Sequence, residues 1–245
     1  MFKAEIKFES LHEMLGALNV LITEACLNIT ENGISVKAVD PANVAMVAID
    51  LSCDAFVSYQ ATDCVLAVDT RKLSGALEIA GKGDIVGIEL DEENHKLAVR
   101  VRGVSYTLSL LSPESVRKDP KIPKFEFACE VTLPSAELKT LTKASEKISD
   151  YVYIGHDEGG FFALAVGDTD DLKIKFPADK IEIIKSGMAK AMYALDYIHN
   201  VSKTVGIANV VNLQLKTDFP LRVSFKIAEG HGNVEYTIAP RVEST

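Results

Sequence analysis

Ile34-Ser35-Val36-Lys37-Ala38-Val39-Asp40-Pro41-Ala42-Asn43-Val44-Ala45-Met46-Val47 contains the pattern that governs most of the chain. Its first five residues alternate in polarity. An extended backbone points successive side chains to opposite faces, so period-2 alternation marks a strand with one buried face. A loop follows at Asp40, then a second uncharged run. The alternation returns at Leu97-Ala98-Val99-Arg100-Val101 and at Leu172-Lys173-Ile174-Lys175-Phe176. Turn signals punctuate it: Glu31-Asn32-Gly33, Asp91-Glu92-Glu93-Asn94, Asp157-Glu158-Gly159-Gly160 and Glu229-Gly230-His231-Gly232.

Four segments break this rhythm and read as helices, at about Ser10–Val20, Asp69–Ala80, Ser135–Lys147 and Leu195–Val205. Ser10, Asp69 and Ser135 are the expected N-caps, because their side-chain oxygens can accept from unpaired N–H groups of a first turn. Gly81 and Gly206 fall where C-terminal glycines belong. The helix starts recur every roughly 60 residues, which is an internal repeat of strand, helix and about three strands. Two units fill each half of the chain. Leu111–Phe125, with three prolines and dense mixed charge, keeps neither period and reads as an extended connector. The expected division is a domain at 1–116, a connector at 117–127 and a second domain at 128–245.

Hydrophobic residues make up 47% of the chain and charged residues 25%, which is globular composition. No apolar run is long enough to span a bilayer. Charges interrupt Met1-Phe2-Lys3-Ala4-Glu5-Ile6-Lys7 at once, so no signal peptide and a cytosolic or nuclear-type compartment are expected. Cys26, Cys53, Cys64 and Cys129 form no C-x-x-C pair and read as reduced thiols. The net charge of −9 excludes a protein that merely adheres to nucleic acid by bulk charge.

No active-site motif emerges. The five histidines make no H-E-x-x-H pattern, Gly81-Lys82-Gly83-Asp84 has the wrong spacing for a dinucleotide loop, and neither a Walker A sequence nor a nucleophile elbow occurs. Asp168, Asp170 and Asp171 could hold Mg²⁺ in a carboxylate-dependent nuclease or phosphatase. Lacking a second carboxylate set or EF-hand spacing, they read as a solvated turn. No metal and no cofactor are expected, and the chain reads as a scaffold instead of an enzyme.

The basic residues are more informative. Lys139, Lys143 and Lys147 recur at i, i+4 and i+8, on one face of the third helix, opposite Leu138, Leu141, Ala144 and Ile148. Lys203 with His199 repeats the arrangement on the fourth, and Arg71, Lys72 and Lys82 bracket the second. The first helix carries His12 and Glu13 but no lysine or arginine. Val104–Leu111 and Asp171–Phe176 are candidate sheet edges, able to pair head to tail between subunits.

Residues Val36–Val47 as quoted above resemble the archaeal form of the proliferating cell nuclear antigen family, the DNA polymerase sliding clamps. Lys147-Ile148-Ser149-Asp150, Phe219-Pro220-Leu221, Ile122-Pro123 and Tyr236-Thr237-Ile238-Ala239-Pro240-Arg241-Val242-Glu243 fit the same family, in family order along the whole chain. The resemblance implies an α+β DNA clamp fold: two similar domains, each of two strand-helix-strands units, helices on the inner face, antiparallel sheets outside, and a closed trimeric ring. It implies a non-enzymatic processivity factor in the cytoplasm of an archaeal cell, associated with the nucleoid. Its partners would be double-stranded DNA bound without sequence preference, a clamp loader, and DNA polymerase, flap nuclease, ligase and repair proteins carrying short hydrophobic peptides.

The residues it makes DNA-facing are Arg71, Lys72, Lys82, Lys139, Lys143, Lys147, His199 and Lys203. The partner-peptide pocket it implies comprises Val39, Asp40, Asn43, Val44, Ile122, Pro123, Pro220, Ala239 and Pro240. The subunit interface would use Val104, Tyr106, Leu108 and Leu110 against Leu172, Ile174 and Phe176. Some members carry an aromatic where Thr237 stands. The alternative within the fold is a subunit of a heterotrimeric or checkpoint-type clamp, motivated by the lysine-free first helix.

Overall fold

A computed structural model describes residues 1–117 and 126–242. The chain divides into two compact units, Met1–Lys121 with Lys226–Val234, and Ile122–Phe225 with Glu235–Thr245. In the first half the elements run β1 (Phe2–Lys7), α1 (Phe8–Asn19), β2 (Glu24–Thr30), β3 (Gly33–Val39), β4 (Ala45–Ser52), β5 (Phe56–Ala61), β6 (Cys64–Asp69), α2 (Thr70–Ala76), β7 (Ile85–Asp91), β8 (Lys96–Val101) and β9 (Val104–Ser109). The second half repeats that order: β10 (Cys129–Pro134), α3 (Ser135–Ser145), β11 (Tyr151–Asp157), β12 (Gly160–Val166), β13 (Asp171–Lys175), β14 (Glu182–Ser186), β15 (Ala189–Ala194), α4 (Leu195–Thr204), β16 (Val210–Leu215), β17 (Leu221–Ile227) and β18 (Gly232–Ile238).

The repeat extends to sheet topology. The order β5-β1-β7-β8-β9 in the first half corresponds to β14-β10-β16-β17-β18 in the second, and β4-β3-β2-β6 corresponds to β13-β12-β11-β15. All pairings with a resolved register are antiparallel. Strand alternation is visible in burial: Phe2, Ala4 and Ile6 of β1 are buried while Lys3, Glu5 and Lys7 are exposed. The helices contribute Leu11, Met14, Leu15 and Leu18 to the core of one unit, and Leu138, Leu141, Ile198 and Val201 to the other. Each such side chain, once buried, is worth about 1.5–3 kcal/mol.

The helices start as a set, by a device the sequence does not display. The first N–H of each donates to a backbone carbonyl far along the chain in the same unit: Phe8 to Asp84 (2.8 Å), Thr70 to Thr23 (2.9 Å), Ser135 to Asn209 (3.1 Å) and Leu195 to Asp150 (2.8 Å). Each acceptor lies in the turn that follows the partner helix. A tertiary bond therefore satisfies one of the N–H groups that every helix start leaves without an intrahelical acceptor. Only Asp69 caps as expected, accepting from Arg71 and Lys72 N–H at 3.0 and 2.9 Å. The expected Ser10 cap is corrected: α1 begins at Phe8, with Lys7 in the cap position, and Ser10 is buried. Ser135 is the first residue of α3, with Pro134 in the cap position.

Candidate nucleic-acid and partner interfaces

The candidate DNA-facing residues fall on three helices or the turns beside them. Arg71 and Lys72 are exposed in the first turn of α2, positioned by the Asp69 cap, and Lys82 is exposed in the loop beyond. On α3, Leu138 and Leu141 are buried and Lys143 is exposed; Lys147 is exposed two residues past the helix end. Lys139 is half-buried. Its ammonium lies against Gly206, where an added Cβ would come within 2.0 Å of Lys139 Nζ, so a glycine makes room for it. On α4, Lys203 is exposed and donates to Asn200 Oδ1 at 3.2 Å.

His199 is half-buried, and its Nδ1 meets Glu146 Oε1. Glu146 thus places a carboxylate between the basic residues of α3 and α4. No spacing rule could reveal it, because the two groups are brought together only by helix packing.

The lysine-free α1 uses its acids differently. Glu9 Oε1 accepts from Gly83 N–H at 2.8 Å, and Glu13 Oε2 accepts from Ala228 N–H at 2.7 Å. Ala228 and Glu229 have φ of 50° and 56°, a left-handed turn in which the Ala228 N–H finds its acceptor in the Glu13 carboxylate. Lys7 Nζ bonds Glu229 Oε1 at 2.7 Å, which holds the Glu229 carboxyl below its ordinary range and the Lys7 ammonium above its own. Both acids of α1 are therefore occupied in fastening other segments.

The candidate peptide-pocket residues of the first unit lie at the end of β3 and in the hydrogen-bonded loop that follows it. Asp40 is 4% exposed. Its carboxylate accepts from Ala42 N–H (3.0 Å), Val44 N–H (2.7 Å) and Ala45 N–H (2.7 Å). Asn43 sits at φ 59°, a left-handed conformation asparagine tolerates. Arg117 closes the loop from outside, donating to Asp40 O at 2.8 Å and Asn43 Oδ1 at 2.7 Å. The family resemblance implies Asp40 as a pocket residue. The structure shows a carboxylate spent on backbone N–H groups, leaving Val39 and Val44 half-buried beside it. Arg117 was missed because it stands 77 residues away in the connector.

In the second unit Pro220, Ala239 and Pro240 are half-buried, and Thr237 is buried. Tyr193 is fully buried and donates its hydroxyl to Phe219 O at 2.8 Å, fixing the loop that carries Pro220; burial pushes its phenol well above the ordinary range. The tail is held by Arg241 N–H donating to Met192 O at 2.7 Å. Ile122 and Pro123 lie outside the described residues.

The candidate interface strands both lie at sheet ends: β9 closes one order and β13 another. On β9, Val104 is exposed and Tyr106 and Leu108 are half-buried, opposite Val101, Val99 and Leu97; Leu110 follows the strand, half-buried. On β13, Leu172 and Ile174 are half-buried. Phe176 is buried within its own unit, its ring 5.1 Å from that of Phe161. Asp168, Asp170 and Asp171 are exposed, and among the described residues no three His, Cys, Asp or Glu side chains are grouped to hold a metal ion. No described helix is long and apolar enough to cross a membrane.

Two antiparallel-sheet units of the same element order, each with two helices, define a protein of the DNA clamp fold. The likeness to known structures agrees. The proliferating cell nuclear antigen of A. fulgidus, solved with the C-terminal region of FEN-1 bound, superposes with a TM-score of 0.93 at 31% identity over the whole of both chains. That of Entamoeba histolytica, at 20% identity, shares the fold with a TM-score of 0.90 over 98% of this chain and 99% of that one. Family models for the N-terminal and C-terminal domains of proliferating cell nuclear antigen match residues 1–105 and 121–241. The DNA polymerase sliding clamps of Methanosarcina barkeri and Halobacterium salinarum are 44% and 34% identical to it, each over the full length of both chains. The chain belongs to the proliferating cell nuclear antigen family, and with it to the sliding clamps.

Proposed function

We propose that three copies of this chain close into a ring around duplex DNA and tether DNA polymerase, nuclease, ligase and repair proteins to it. In this reading the chain catalyses no reaction, needs no cofactor, and works in the cytoplasm on nucleoid DNA after an ATP-driven loader has opened the ring. The clamp domains are 1–116 and 128–245, joined by the connector at 117–127.

The observation that carries the proposal is the pair of sheet-end strands, β9 and β13, one in each half of a chain whose relatives are sliding clamps. Edge strands offer unpaired backbone groups, and a head-to-tail contact between unlike edges closes into a ring when the angle permits. A ring holds DNA by topology. Its inner cations, proposed as Arg71, Lys72, Lys82, Lys139, Lys143, Lys147, His199 and Lys203, need only offset repulsion between phosphates and an acidic protein. Contacts to phosphate carry no sequence information, so the ring can slide. Partner peptides dock on Val39, Asp40, Asn43 and Val44, on Ile122 and Pro123, and on Pro220, Ala239 and Pro240, where an apolar anchor inserts.

Light scattering during gel filtration tests the assembly. A homotrimer gives three times the 26.6 kDa of one chain. A monomer mass at every concentration would overturn self-assembly and favour a mixed ring.

A further inference from the structure

The register of β13-β12-β11-β15 puts an unusual set of side chains on the solvent side of that sheet. Lys173, Leu164, Tyr153 and Met192 stand directly opposite one another on the four strands, and Arg241 of the tail bridges to Met192. Lys175, Phe162, Gly155 and Lys190 form the next row, in which the two lysines are exposed and Phe162 and Gly155 lie buried between them. The other face of the same strands carries Ala163, Ile154 and Ala191, all buried.

Three of the cations sit over rings of this face: Lys173 over Phe162 (5.0 Å), Lys190 over Tyr153 (4.3 Å) and Arg241 over Tyr151 (5.0 Å). Gly155 lets Phe162 lie flat, since a Cβ there would meet Phe162 Cζ at 2.8 Å. The result is a strip of Tyr151, Tyr153, Leu164 and Met192 with cations at both margins, about 19 Å apart by strand spacing. Lys173, Lys175, Lys190 and Arg241 are all exposed. The acids that the four strands place on this face are Asp171, at the end of β13, and Asp157, whose Oδ1 is turned to Gly159 N–H in its own hairpin; exposed Asp218 stands beside the strip, its N–H on Lys190 O.

We propose that this face binds an acidic segment of a partner protein, one that carries an apolar residue among its carboxylates. The ring faces are already covered by ammonium and guanidinium groups, so a nucleic-acid base would have to displace them to stack. Carboxylates instead meet cations whose positions the rings hold. The strip also adjoins the second unit's part of the proposed peptide pocket. Arg241 follows Pro240, and Lys190 O accepts from Asp218 N–H two residues before Pro220. The inference rests on the pocket reading, for it gives the partner peptide a second, charged foothold.

Fluorescence anisotropy with the assembled protein tests it, using three labelled probes: a short peptide with an apolar anchor, the same peptide extended by an Asp/Glu-rich segment containing one leucine, and that segment alone. The extension is expected to tighten binding about tenfold at low salt and much less at 0.5 M salt. Lys173→Glu with Lys190→Glu should abolish that gain and leave the anchor peptide bound as before; the glutamine pair should lose part of it. An anchor peptide that binds while the extension adds nothing would overturn the proposal and leave the pocket standing. If the anchor fails to bind, the pocket reading falls, and the segment alone decides: binding lost on charge reversal supports the face, no binding sinks it. Binding of a single-stranded oligonucleotide that the acidic segment cannot displace, lost in the same variant, would also overturn it.

Discussion

Asp40→Ala removes one carboxylate and leaves three backbone N–H groups to find new acceptors. Ala42 is exposed, so water replaces its bond at little cost. Val44 is half-buried and loses part of a charge-assisted bond. Ala45 is buried, and its N–H pays the full penalty of an unsatisfied donor, about 1–3 kcal/mol. The sum is about 3 kcal/mol, which for a chain of this size lowers the melting temperature by about 6–12 °C. Asp40→Asn keeps one acceptor oxygen but sets an amide against the Ala42 N–H. Neutral bonds are roughly half as strong, so it should cost about half as much. Differential scanning calorimetry of both variants, with amide exchange read at Ala45, measures the effect. An alanine variant melting within about 1 °C of the parent, or an asparagine variant as damaged as the alanine one, would refute the account of the loop as a carboxylate-centred turn.

Lys143→Glu with Lys147→Glu should leave melting unchanged, since both side chains are exposed, and reduce clamp-dependent polymerase stimulation; undiminished stimulation would remove the helix-face argument. Leu108→Pro deletes a β9 ladder donor and should shift the light-scattering mass from trimer toward monomer; a folded variant that stays trimeric would place the interface elsewhere. Tyr193→Phe strips the hydroxyl from Phe219 O and should cost about 1 kcal/mol by urea melting, with weaker capture of an apolar-anchor peptide because the Pro220 loop loosens. Pro220→Asp should weaken that peptide tenfold or more while the ring mass stays constant.

Strands were legible because alternation is local: Gly33–Val39, Lys96–Val101 and Asp171–Lys175 fall where period 2 places them. Helices were legible in position and only partly in extent. Asp69 caps as read because its acceptor and donors are three residues apart. Ser10 does not, because the helix begins two residues before it, at Phe8, whose N–H finds Asp84 O, a bond no local pattern encodes. The α3 lysines appeared as an even row, yet Lys139 leans against Gly206 and Lys147 lies past the helix. Arg117 and Glu146 were invisible for one reason: each acts on a segment distant in sequence, and its own neighbours say nothing of the partner.

The tip of the β17–β18 hairpin, Lys226–Val234, belongs with the first unit. Its Ala228 N–H satisfies Glu13, its His231 carbonyl receives the Ser52 N–H at 2.9 Å, and Gly232 admits Leu51 where a Cβ would meet it at 3.0 Å. A chain emerging from the ribosome therefore cannot complete its N-terminal half when that half has been made. Glu13, Ser52 and Leu51 wait for residues synthesised long after them, Ala228 standing 215 positions beyond Glu13, so the early-born unit is the late-finished one. A fragment cut at the connector would carry the same deficit permanently, and an isolated N-terminal half should aggregate or stay partly molten where the full chain folds cleanly.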